Sequence, residues 1–154
     1  METITAYLEG DHARCHALFE TARKRVAALE WGSAADDFAA FAYAMERHLI
    51  MEERIVFPAY EKAVRTTTGP TSIMRSEHLH IRAIVQRMAD SIAAGHAKEF
   101  GKHADTLRIV VLHHGEKEEG VLYPMIDRIL GGRQGEVIAA MRAFGALDVM
   151  AEAQ

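Results

Sequence analysis

The chain has 154 residues, 49% apolar and 26% charged, with a net charge of −4; this is globular composition with material for a sizeable core and no basic block for nucleic acid. No apolar run approaches the roughly 18 residues of a membrane span, and the N-terminus lacks a signal-peptide pattern. The single cysteine, Cys15, cannot pair within the chain, so a soluble, cytoplasmic protein forming one domain over residues 1–154 is expected.

Apolar residues at three- and four-residue steps from Ile4 to Leu29, including Leu8, Cys15, Phe19 and Val26, predict a first amphipathic helix. WGSAADD interrupts the pattern, and Ser33 or Asp36 can cap a second helix over about residues 35–64. Its inward positions are Phe38, Phe41, Met45, Leu49, Ile55 and Val56. TTTGPT at 66–71 is a loop. A third helix carries Ile73, Met74, Ile81, Ile84, Val85, Met88 and Ile92; a break near Gly95 precedes a fourth with Phe100, Leu107, Val110, Val111, Val121 and Leu122. GGRQGE at 131–136 is a second loop, and a final amphipathic helix over about 136–152 is expected outside the bundle or against a partner. Pro58 and Pro124, inside long helical patterns, predict kinks. The pattern is all-α: an antiparallel up-down-up-down four-helix bundle over about 4–130, with an additional C-terminal helix.

One polar phrase is written twice. HLIMEERIVFP (48–58) and HGEKEEGVLYP (114–124) share His, a double Glu, an aromatic and Pro in identical register, 66 residues apart. DHARCHAL (11–18) aligns with EHLHIRAI (77–84) at the same offset, so the first helical hairpin corresponds to the second. The matched polar positions are His12, His48, Glu52, His78, His114 and Glu118. At 1.5 Å per residue, His78 and His114 both lie about 27 Å from the turn between their helices. His12 and His48, at roughly 20 and 15 residues from theirs, differ in level by about 8 Å. His and Glu four apart share a helix face.

Those faces are otherwise apolar, and two unpaired buried carboxylates would each cost several kcal/mol, on the order expected for buried charge. Two divalent cations remove that cost: four imidazoles and two bridging carboxylates suit two iron ions with an oxide or hydroxide bridge, and equally manganese or zinc. The alternative is a decayed repeat whose His and Glu residues only hydrogen-bond each other across the core.

These residues resemble the hemerythrin-like, HHE cation-binding family over about residues 4–130, through DH at 11–12, EH at 77–78 and the two long phrases. The resemblance implies a four-helix bundle around a non-haem di-iron centre, with His12, His48, His78 and His114 as terminal ligands and Glu52 and Glu118 as bridges. Oxygen-carrying members place a fifth His where Arg82 stands here, and close the last helix with His-x-x-x-x-Asp. His113 and Glu118 have that spacing, but only His114 matches His48. The four-His, two-Glu set is more similar to the proteins that repair iron centres. Those carry an additional N-terminal cysteine domain, absent from this sequence, so repair by that complete machinery is not expected.

Other polar residues are weighed against bland roles. Glu53 and Glu119 could serve the metals, but a rotation of 100° favours a solvated face. Asp11 and Glu77 could orient a neighbouring imidazole or simply begin helices. His16 and His80 are read as surface residues, His96 and His103 as exposed beside a turn, and Cys15 as core. Tyr7, Tyr43 and Tyr123 could donate to a bound ligand, with packing the more ordinary role. The expected function is binding of, or reaction with, O₂, NO or peroxide in an oxygen, nitrosative or oxidative response. Open alternatives are iron delivery to, or repair of, iron centres in acceptor proteins, peroxide turnover, and a non-catalytic iron or redox sensor whose C-terminal helix, 137–150, docks on a partner; whether the chain is an enzyme is undecided at this level.

Overall fold

The computed structural model describes residues 2–153, with side chains described up to Gly145. Four long helices form the frame: α1 (Ile4–Ala27), α2 (Trp31–Met51), α4 (Pro70–Ala93) and α5 (Ala97–Lys117). Two short helices, α3 (Phe57–Val64) and α6 (Tyr123–Leu130), continue α2 and α5. α1 and α4 each pack against both α2 and α5, closing an antiparallel ring. Among the described residues there is no strand, and no helix is long and apolar enough to cross a membrane.

Local chemistry sets the boundaries. Thr3 caps α1 by accepting from the Ala6 N–H at 3.0 Å. Leu29 ends that helix in a left-handed conformation with φ 59°, and α2 begins at Trp31 behind Glu30, which makes no side-chain cap bond. The expected caps Ser33 and Asp36 therefore lie inside α2, which starts at Trp31, four residues before the expected start at about 35. His12 is then 15 residues from the end of α1, and His48 is 17 from the start of α2. This short turn removes most of the 8 Å mismatch. The other bends fall where glycines supply positive φ: Gly69 at 102° before α4, and Gly95 at 68° before α5.

Pro58 and Pro124 follow widened turns rather than simple kinks. Glu52–Val56 and Glu118–Leu122 are π-helical, and the N–H groups of Phe57 and Tyr123 donate five residues back, to the carbonyls of Glu52 and Glu118. The extra residue in each turn absorbs the register that a proline cannot hold. It also brings Phe57 and Tyr123 inward beneath the glutamates, both at 0% exposure, while Val121 turns outward. Ile73, also grouped with the apolar positions of its helix, is exposed as well.

Two apolar clusters fill the bundle. One, toward the α1–α2 and α4–α5 turns, includes Phe19, Phe38, Phe41, Ile81, Phe100 and Leu107. The other includes Ile4, Leu8, Met51, Phe57, Tyr123 and Ile126. α7 (Gln134–Ala153), reached through a 3₁₀ turn at Gly131–Arg133, joins the second cluster through Val137, Ile138 and Met141. The amphipathic segment expected outside the frame is thus packed onto it, although side chains 146–150 lie outside those described. Between the clusters, at the waist of the bundle, lies a band of buried polar groups.

Candidate metal centre

The polar band contains the six matched positions. Glu52, His78 and Glu118 are 0% exposed, His48 is 2% and His114 is 4% exposed. His12 is the outlier, with 22% of its side chain exposed. The groups divide by hairpin. His12 and His48 pair with ring centroids 4.5 Å apart, and His78 and His114 pair at 5.1 Å. Nε2 of His48 and Nε2 of His78 lie 3.3 and 3.2 Å from Glu52 Oε1. Nε2 of His114 and Nε2 of His12 lie 3.1 and 3.2 Å from Glu118 Oε1. One ligand atom from each of Glu52, His78, His114 and Glu118 falls within a mutual 4.8 Å, as does one from each of His12, His48 and Glu118.

Every one of the four imidazoles is held from behind. A carboxylate can only accept, so Nδ1 is the donor in each pair. His48 donates to Asp11 at 2.7 Å and His114 to Glu77 at 2.8 Å. His78 donates to Glu53 at 2.6 Å and His12 to Glu119 at 2.9 Å. These contacts are pairwise equivalent under the 66-residue offset. Each fixes its ring with Nε2 directed into the chamber, the arrangement that metal-ligating histidines use. Glu53 and Glu119 are therefore not simply members of a solvated face. The π-turns start at the preceding glutamates and change the simple 100° geometry; the signal available in the sequence was that both halves keep the second Glu. Arg82, where a fifth His would stand, points away from the chamber and clamps Glu53 and Glu46 at 2.8–3.0 Å.

Tyr123 completes the chamber. Its hydroxyl donates to Glu52 Oε2 at 2.7 Å or Glu118 Oε1 at 2.9 Å, and lies 3.2 Å from His12 Nε2. Packing alone is not its role. The other half carries Phe57 at the equivalent position, stacked on His78 with centroids 5.7 Å apart, so a single hydroxyl breaks the two-fold symmetry. That signal, a Tyr facing a Phe across the repeat, is visible in the sequence. His113 is 65% exposed and directed away, leaving His114 in the chamber. Cys15 is core; His16, His80 and His96 are exposed, whereas His103 is half-buried.

The buried acids and imidazoles of the chamber shift one another. Burial by itself would raise Glu52, but His48, Glu118 and His78 around it hold its carboxyl well below the usual range. Burial would likewise discharge the imidazoles. Glu52 and the Asp11 hydrogen bond instead push His48 well above the ordinary histidine value, and the bond and charge of Glu118 push His114 up to about 9. Burial, then the two glutamate charges, keeps the Tyr123 phenol protonated. Even so, His48 Nε2, Glu52 Oε1, His78 Nε2, His114 Nε2 and Glu118 Oε2 are buried without a hydrogen-bond partner. Five such atoms in one chamber are far more than a folded core leaves unsatisfied. All five are ligand atoms of a kind that iron, manganese or zinc accepts, so the residues present fit a metal site.

The comparisons point the same way. The profile of the Hemerythrin HHE cation binding domain matches residues 3–126 and again 71–144, the second match starting within α4, close to one repeat later. Neither a curated protein nor a solved structure matches the chain. A family match that covers most of the sequence, on a helical bundle with a buried His/Glu cluster, establishes that the chain belongs to the hemerythrin HHE cation-binding domain family and is a metal-binding protein.

Proposed function

We propose that the chain is a non-haem di-iron protein that binds or reacts with a small ligand, O₂, NO or peroxide. His12 and His48 hold one iron and His78 and His114 the other, with Glu52 and Glu118 between them. The observation that carries this reading is the chamber itself, where five buried, inward-facing imidazole and carboxylate atoms lack a hydrogen-bond partner within the protein. Two cations held there would satisfy these atoms and, when ferrous, would supply electrons to a bound ligand.

The chain's own residues do the rest. Asp11, Glu53, Glu77 and Glu119 fix the imidazoles. The apolar clusters above and below exclude bulk water. Tyr123 holds a proton at its hydroxyl, within reach of both glutamates, where a bound ligand can accept a hydrogen bond. With Arg82 turned away from the chamber, the second hairpin provides only His78 and His114 as imidazole donors. Incomplete coordination favours reaction or sensing over reversible O₂ carriage.

Anaerobic purification, metal analysis and optical spectra before and after O₂ or NO test this. About two irons per chain and a near-ultraviolet band appearing on oxidation are expected. A protein isolated with zinc, or unable to retain two metals, would refute the di-iron reading.

A second reading, in which the metal state is reported to a protein partner, has its own support. α7 lies over Arg47: a Cβ added at Gly145 would come within 2.6 Å of its guanidinium. Arg47 in turn reaches Asp11 at 3.3 Å, and Asp11 holds His48. Protease sensitivity of α7 with and without iron tests whether that contact transmits anything.

A further inference from the structure

The two halves of the bundle differ where α1 meets α5. At the equivalent seam, between α2 and α4, Arg82 spans to Glu46 and Glu53. A cavity of about 300 Å³ there touches none of the six chamber residues. Under the 66-residue offset, Arg82, Glu46 and Glu53 become His16, Leu112 and Glu119. That clamp is missing, and a crevice of about 630 Å³ opens instead, reaching His12, His48 and His114. Gly115 widens it: the other half has Leu49 at this position, and a Cβ at Gly115 would meet nothing within 4 Å.

Size and lining identify an occupant. A water's share of liquid volume is about 30 Å³, and a diatomic molecule is of that order, so the crevice is far larger than O₂ or NO requires. It falls in the range of about 300–1,000 Å³ that organic ligands fill. Its inner wall is apolar, with Phe19, Phe41 and Leu107 buried at one end and the imidazoles at the other. From Leu107 to Glu116 it runs about 14 Å along α5. At the rim, Ile109 and Leu112 are 54% and 57% exposed, extending the apolar surface outward.

We propose that this crevice binds an elongated apolar molecule with a small oxygen-bearing head, of the class of medium-chain carboxylates. The tail lies against Phe19, Phe41 and Leu107, and the head faces His12, His48 and His114. The position of the head rests on the metal-centre reading; the seat of the tail does not. The other charged groups of the lining are Arg108, Glu116 and Glu119.

Calorimetric titration of the full, metal-loaded chain with octanoate and with acetate tests the proposal, with metal content measured on the same sample. Octanoate is expected to bind at least tenfold more tightly than acetate. The double substitution His16→Arg with Leu112→Glu transplants the clamp of the other seam using exposed positions, and Gly115→Leu fills the crevice from within. Each is expected to abolish the octanoate advantage while metal content stays as in the parent. 1-Octanol, whose uncharged head needs no metal, is titrated in parallel and is expected to bind the parent and not the variants. Octanoate no tighter than acetate, failure of octanol to bind, or an advantage that survives in both variants would overturn the crevice. Low metal content with intact octanol binding would overturn the metal reading and leave the crevice standing.

Discussion

Tyr123 donates to Glu52 at 2.7 Å, joining α6 to the π-turn after α2 across 71 residues of sequence. In the metal-free chamber this hydroxyl is the only donor from a neutral side chain that reaches both glutamates among the described contacts. Tyr123→Phe recreates the situation of Phe57. Losing this donor, which can serve either of two buried carboxylates, should destabilise the metal-free protein by about 1–3 kcal/mol. The metal-loaded protein should lose much less, because the cations then satisfy the same oxygens. Denaturant unfolding with and without metal measures both quantities. Metal content should be unchanged, and the rate of reaction with O₂ or NO should change. A variant that cannot hold metal would instead make Tyr123 part of the ligand set.

The four carboxylates behind the imidazoles predict a graded effect. Glu53→Gln and Asp11→Asn keep the side-chain shape but remove the charge that each ring N–H faces. Metal affinity should fall by about 10- to 100-fold in each, the range known for such outer partners. Chelator competition reads this directly. Glu52→Gln should cost far more, since Glu52 lies 3.2–3.3 Å from Nε2 of both His48 and His78. If Glu53→Gln matched the parent, its contact with Arg82 rather than with His78 would be its purpose.

Much of this was legible beforehand because the repeat is a symmetry statement. Identical spacing in both halves matched His12, His48 and Glu52 with His78, His114 and Glu118, with His78 and His114 at one level and His12 and His48 about 8 Å apart, and the amphipathic pattern supplied the helices. What the pattern could not carry was the phase of the chain after each glutamate. A uniform 100° rotation put Glu53 and Glu119 toward solvent and Val121 toward the core. The π-turns add a residue at that point, so hydrogen bonding rather than hydrophobic period decides which side chains follow inward. The end of the first helix near Leu29 is legible, but the start of the second is not: Ser33 and Asp36 are good capping residues, yet α2 begins at Trp31, directly after the left-handed Leu29.

The charge state of the metal-free chamber predicts an alkaline loss of stability. His114 is raised to about 9 and His48 is raised well above its ordinary value, while an unfolded imidazole titrates near 6.5. A raised histidine contributes stability that is complete below the unfolded value and is lost as pH rises through the folded value. Metal-free protein should therefore melt lower at pH 9 than at pH 6.5, by at least about 3 °C, the shift expected for 1 kcal/mol in a chain of this size. Metal-loaded protein should show no such fall, because bound cations displace those protons. Thermal scans at the two pH values, with and without metal, separate the cases. Equal melting temperatures for the metal-free protein would mean that Glu52 and Glu118 do not hold protons on these rings.

The last asymmetry concerns how metal leaves. His12 has 22% of its side chain exposed and stands at the head of the α1–α5 crevice, whereas His78 has none exposed and is covered by Phe57. Exchange should begin on the His12/His48 side. A chelator added to protein holding two metals should remove them in two phases, the faster accounting for about half of the metal if each site loses one ion independently. His12→Ala should abolish binding of that ion and with it the faster phase, leaving about one metal per chain with the His78/His114 pair intact. His78→Ala opens the buried end and should disturb both ions, because Glu52 then has lost one of the two imidazoles it faces. Stopped-flow chelation with metal analysis of each variant makes the comparison. Single-phase loss at one rate would mean that the two positions empty together, and the exposed imidazole would then have no part in setting the order.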